Sequence, residues 1–196
     1  MAAPDLDNLL AEIRACRVCA ESMPHEPRPI IRASSTARIA IVGQAPGTRV
    51  QASGKPFTVP SGDRLREWMG VDETVFYDTS RIAIVPMGFC FPGLDEKGGD
   101  LPPRKECAPL WQARVHEHLS RVELILLVGL YAQRFHLGSR ARKNLTDTVK
   151  HAQAYAPEYI PLPHPSWRNN AWIKRNPWFE EKILPMLQCR IKELLS

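Results

Sequence analysis

The chain has 196 residues, 44% hydrophobic and 24% charged, a size for one domain and a composition that argues against a disordered, collagen-like or membrane-embedded protein. No apolar run approaches the roughly 20 residues of a bilayer-spanning helix, and the opening MAAPDLDNLL shows no basic-then-apolar leader, so the expectation is a cytoplasmic protein that makes no membrane contact. The net charge of +5 is uneven: residues 1–100 hold 11 Lys/Arg against 13 Asp/Glu, and residues 101–196 hold 15 against 8, a basic half that suits a polyanion such as nucleic acid.

In chain order, a helix is expected over Leu6 to Ala15. Cys16 and Cys19 follow it as a CxxC. RIAIVG (Arg38 to Gly43) is the first strand, an aliphatic run of the kind buried on both faces of a parallel sheet. Ser61 is positioned to cap a helix DRLREWMG. RIAIVP (Arg81 to Pro86) is a second strand, and the Pro/Gly-rich FPGLDEKGGDLPPR after it reads as a functional or metal-bearing loop. Arg104 to Leu119 is helix-compatible, ELILLVG (Glu123 to Gly129) is a third strand, and Leu130 to Leu137 a helix. EYIPLPH (Glu158 to His164) is a fourth strand, and a last helix from Pro177 to Leu195 is interrupted by Pro185. Strands alternating with helices in one domain, 1–196, predict an α/β fold with a mainly parallel sheet.

In such sheets ligands bind beyond the carboxyl ends of the strands. GQAPG (Gly43 to Gly47) follows the first strand; it is neither a dinucleotide-binding GxGxxG nor a phosphate-binding loop ending in GK[ST]. Its glycines permit tight turns that leave amide donors and the Gln44 side chain facing a ligand. HPSWRN follows the fourth strand, with His164 held between Pro163 and Pro165. Four cysteines, the CxxC pair plus Cys90 and Cys107, equal the number needed by a tetrahedral zinc or a four-iron cluster. Buried small cysteines explain the same residues without a metal. Cys189 stands apart.

The two loops together resemble the motifs of the uracil-DNA glycosylase superfamily. The four cysteines, and GKPF (Gly54 to Phe57) with PSGDRLR after it, are similar to the superfamily's iron-sulfur branch; the resemblance runs from Cys16 to about Asn169. It implies a three-layer α/β/α sandwich with a four-stranded sheet. The implied activity is a DNA glycosylase that hydrolyses the N-glycosidic bond of uracil or another deaminated base, in single- or double-stranded DNA, and leaves an abasic site; neither motif holds a Lys to form a Schiff base, so a monofunctional enzyme is expected, and a monomer. By motif match His164 stabilises the departing base, Gly43, Gln44 and Ala45 contact it or orient water, and Phe57 stacks on it. Ser166, Trp167, Arg168, Asn169, Lys174 and Arg175 are the expected DNA contacts. Cys16, Cys19, Cys90 and Cys107 would hold a 4Fe-4S cluster, with zinc as the alternative.

Two departures from the family pattern matter. The polar position of the first motif is Gln44, an amide that holds a water but cannot take its proton, so Asp63 becomes a candidate carboxylate beside its simpler role as a first-turn acid. Pro86 stands where relatives often carry an Asn that reads uracil, which keeps xanthine and hypoxanthine open as substrates. A non-catalytic binder of damaged DNA and a nucleoside hydrolase are the competing readings.

Overall fold

A computed structural model describes residues 5–196; residues 1–4, the start of the stretch read for a leader, lie outside the described residues. The chain begins with α1 (Leu6–Arg14) and reaches β1 (Ile39–Val42) after a long extended segment. Three helices, α2 (Thr48–Ser53), α3 (Pro60–Met69) and α4 (Glu73–Tyr77), lead to β2 (Ile82–Ile84). There follow α5 (Cys107–His118), β3 (Leu124–Val128), α6 (Leu130–Leu137), α7 (Leu145–Lys150), β4 (Tyr159–Leu162), α8 (Asn170–Arg175) and α9 (Leu184–Leu195).

The strands form one all-parallel sheet in the order β2-β1-β3-β4. Ile39 pairs with Ile82 on one side and Leu124 on the other, and Val128 pairs with Leu162. Each strand is buried on both faces because side chains alternate across the pleat. Ala40, Val42, Ala83, Val85 and Leu127 face a core with α1 and α5. Ile39, Ile41, Ile82, Ile84, Leu126 and Val128 face a second core with α3 and α9. The result is the expected three-layer α/β/α sandwich, and Pro161 is tolerated because β4 is an edge strand.

Leu6, Leu9, Leu10 and Ile13 are the buried residues of α1, at the spacing that makes one helix face apolar. Ser61 does not cap α3. Val59 is the N-cap without a side-chain bond, and Pro60 opens the helix, where its fixed φ is helical and its missing N–H costs nothing. The interruption expected at Pro185 is a wide π-type turn over Phe179–Ile183, after which α9 restarts with that proline in its first turn. The short helices α2, α4, α7 and α8, of five or six residues, escape a reading based on apolar periodicity because they span too few turns to show one.

Candidate functional site

β1 connects toward β2 on one side of the sheet, and β3 toward β4 on the other, so the chain diverges at the carboxyl ends of β1 and β3. A crevice is expected at such a switch point. There a cavity of about 250 Å3 is lined by Gly43 to Val50 after β1, Pro86 after β2, His164 after β4, and Phe57, Ser61 and Asp100 from the intervening segments. The two motifs and the aromatic residue singled out from the sequence therefore share one cavity.

His164 lies two residues beyond β4, and its backbone is held on both sides. Buried Gln133 donates from Nε2 to the Leu162 carbonyl at 2.9 Å, and Asn169 donates from Nδ2 to the His164 carbonyl at 2.7 Å. The Ser166 N–H donates to His164 Nδ1 at 3.2 Å. In a neutral imidazole the proton then sits on Nε2, the nitrogen left free to donate. Burial first, and the Arg168 charge second, hold the His164 pKa below its ordinary value, so the ring is neutral near pH 7.

Phe57 is the one non-glycine residue with positive φ among the described residues, at 57°, a strained conformation for a bulky side chain. Three contacts hold it. Tyr77 donates its hydroxyl to the Pro56 carbonyl at 2.7 Å, the Phe57 ring packs edge-on against Phe76 at 5.8 Å, and the Phe57 carbonyl lies against Gly62 of α3. A Cβ at Gly62 would stand 1.8 Å from that carbonyl oxygen, so only glycine lets the loop seat on the helix. On its cavity side the ring tip is 3.6 Å from where a Cβ of Gly43 would be, which places the ring beside the first motif.

The first motif is pinned to the segment after β2. The Gly43 and Gln44 carbonyls accept from the N–H groups of Met87 at 2.9 Å and Gly88 at 3.0 Å. The Gln44 side chain donates to the Leu101 carbonyl at 3.3 Å and so ties the β1 loop to the Pro/Gly-rich loop. Asp63 is not among the residues lining the cavity: 73% of its side chain is exposed, and it pairs with Arg66 on α3. The carboxylate that does line the cavity is Asp100. The Pro/Gly-rich composition of its loop was the only signal for it. Pro86 contributes no side-chain donor, and its carbonyl accepts from buried Gln112 at 2.8 Å.

A groove of about 500 Å3 adjoins the cavity, sharing Thr48, Arg49, Ser61, Asp100 and His164 with it and adding Arg64, Ser166, Trp167 and Arg168. Trp167 is 73% exposed, unusual for so large an apolar ring. Ser166 caps the short turn at Trp167–Asn169 by accepting from the Arg168 N–H at 3.3 Å, and Arg64 donates to the Ser166 carbonyl at 3.2 Å. Asn169 points back to the His164 backbone. Lys174 and Arg175 lie on exposed α8, outside the residues lining the groove. Trp172 packs against Trp178 and Phe179 and donates to Thr146 at 2.8 Å. Arg49 and Arg64 were not evident as site residues, since each sits alone in an unremarkable stretch of sequence.

Cys16, Cys19, Cys90 and Cys107 line one apolar cavity together with Phe89 and Trp111, and none is in a disulfide. Burial first, with the neighbouring cysteines adding to it, pushes the thiols of Cys90 and Cys107 up to about 11 and about 12. The Phe89 N–H donates to Cys107 Sγ at 3.4 Å. Among the described residues no group of three or more His, Cys, Asp or Glu is gathered tightly enough for a single metal ion. No helix there is long and apolar enough to cross a membrane.

Compared with known protein families, residues 32–188 match the uracil DNA glycosylase superfamily. The match spans most of the chain, both cavity motifs and all four strands, and the protein belongs to that superfamily, whose members are in general glycosylase hydrolases acting on DNA.

Proposed function

We propose that this member of the uracil DNA glycosylase superfamily removes a deaminated base from DNA by hydrolysis, leaving an abasic site and an uncut strand. The observation that carries the reading is the placement of His164, with Nε2 left as donor, and Phe57 in one cavity with the amides of the first motif. A base swung out of the stack lies on the Phe57 ring, since stacking on an aromatic face accepts any base. As the C1′–N bond breaks, negative charge grows on the base oxygens. The His164 Nε2–H, neutral and fixed by the Ser166 N–H, stabilises that charge without needing to reorganise. The N–H groups of Gln44 and Ala45, whose neighbouring carbonyls are already bonded, hold the far edge of the base.

Selectivity follows from what the walls lack. Pro86 cannot read a pyrimidine edge, so we infer a range that extends beyond uracil to hypoxanthine or xanthine. No Lys lines the cavity to form a Schiff base, which favours a monofunctional enzyme. All these groups come from one chain, so a monomer suffices. In the groove, Arg49 and Arg168 meet phosphates, and exposed Trp167 fills the gap left by the extruded nucleotide.

The four cysteines would be the ligands of a metal centre: none is in a disulfide, and all four line one apolar cavity. A 4Fe-4S cluster is the centre we propose there, since four thiolates are its usual ligand set, with a zinc ion as the alternative. Such a cluster would act structurally, tying the segment after α1 to the loop before α5.

The test is base release from labelled single- and double-stranded oligonucleotides with one uracil, hypoxanthine or xanthine, revealed by alkali. His164→Ala should lower the single-turnover rate by about 10²–10³, the effect of removing one preorganised donor. Tight binding without release by the wild-type protein would instead establish a non-catalytic binder of damaged DNA.

A further inference from the structure

The first motif holds no proton acceptor, because Gln44 is an amide and its Nε2 is engaged by the Leu101 carbonyl at 3.3 Å. That same bond draws the loop between β2 and α5 over the motif and brings its acid with it. Asp100 lines the cavity alongside His164 and Gly43 to Gly47. Its Oδ2 stands 3.4 Å from where a Cβ of Gly47 would be, which seats the carboxylate against the first motif. The other nearby acids are occupied. Asp63 pairs with Arg66, and Asp95 Oδ1 accepts from the N–H groups of Lys97 at 2.9 Å and Gly99 at 2.8 Å. The Asp100 carboxylate accepts no hydrogen bond among the described residues, and the residue is exposed at the cavity's edge.

We propose that Asp100 is the general base of this site, taking the proton of the water that attacks C1′. The inference rests on the glycosylase reading above. The C1′–N bond breaks with its electron pair on the base, the water oxygen bonds to C1′, and the water proton passes to Asp100. Asp100 then returns a proton to solvent while the released base takes one up, so the sum is one water consumed. The charges of Arg168, from the loop after β4, and of Asp95, from its own loop, act on this carboxylate, and Arg49 of α2, Arg64 of α3 and His164 line the cavity or the adjoining groove with it. Burial raises the Asp100 pKa above its ordinary value, Asp95 adds to the rise, and Arg168 opposes it. The carboxylate is therefore protonated, and the base lost, as the pH falls through that raised value.

The experiment is single-turnover base release from pH 4 to 8 by the full-length wild-type protein, Asp100→Asn, Asp100→Ala and Glu96→Gln. General-base catalysis typically contributes about 10²–10⁴ in rate. Asp100→Asn should therefore be slower by at least about 100-fold at pH 7, with KM little changed and the acid limb of the profile gone. Added formate or azide should restore part of the Asp100→Ala rate, a rescue that a structural role would not allow. Glu96→Gln, on the same loop but outside the cavity, should match the wild type. An Asp100→Asn rate within threefold of the wild type, a retained acid limb, or no rescue would overturn the assignment, as would an equal loss in Glu96→Gln. Absence of release by the wild type itself would overturn the glycosylase reading, and the role of Asp100 with it.

Discussion

Gly62→Ala separates the seating of Phe57 from the chemistry of the cavity. The new Cβ would lie 1.8 Å from the Phe57 carbonyl oxygen and 2.6 Å from its carbon. Bringing the nearer contact to 3.0 Å, the limit below which real contacts are essentially absent, requires the Phe57 loop or α3 to retreat by at least 1.2 Å. Overpacking of this kind costs about 1–3 kcal/mol, which in a chain of this length lowers Tm by roughly 2–12 °C. The fold should survive, because the core on the α1 and α5 face of the sheet is untouched. The platform, however, moves by more than the ~1 Å displacement that can cost about 100-fold in rate. Thermal unfolding and single-turnover base release, measured on the same preparation, read the two effects apart. The expected outcome is a modest drop in Tm with a rate about 100-fold lower. A lowered Tm with base release within threefold of the wild type would refute the role of Phe57 as the surface that receives the base.

Two further outcomes follow from other parts of the molecule. His136 and His116 form a half-buried edge-on pair with ring centroids 5.1 Å apart, and burial first, then the neighbouring His116, depress the His136 pKa to about 4. The unfolded chain therefore binds more protons between pH 6.5 and 4, so the stability that neutral His136 contributes is complete above about 6.5 and lost as the pH falls toward 4. The span corresponds to about 3 kcal/mol at most. Urea midpoints should fall over that window and flatten in His136→Asn, whereas equal slopes in both proteins would refute the assignment. For the cysteines, protein purified without oxygen should be brown and carry about four irons per chain. Cys107→Ser should lose both colour and iron, and a colourless wild type with one zinc would contradict the cluster.

The sheet was legible because its strands are buried on both faces and so appear as unbroken aliphatic runs, Ile39 to Val42 and Leu124 to Val128. His164, Phe57 and the first motif were legible from short motifs at strand ends or a fixed distance beyond them, and the structure gathers them into one cavity. The carboxylates were not. Asp63 and Asp100 each lie near glycine in polar stretches, and only tertiary contacts decide which one meets the cavity. Arg66 draws Asp63 to the outer face of α3, while the Gln44 bond to Leu101 turns the Asp100 loop inward. Arg49 and Arg64 were hidden for the same reason, since the groove they line is assembled from segments more than 100 residues apart. Gly62 looked like an ordinary glycine near a helix start until the Phe57 carbonyl was found against it.

The most direct measurement is mass spectrometry of the small-molecule fraction after wild-type protein is incubated with an oligonucleotide carrying one uracil, alongside the length of the strand before and after alkali. The account expects free base in amounts equal to the abasic sites, with the strand intact until alkali is added. Strand cleavage without alkali, or abasic sites unaccompanied by free base, would contradict hydrolysis of the glycosidic bond in this cavity.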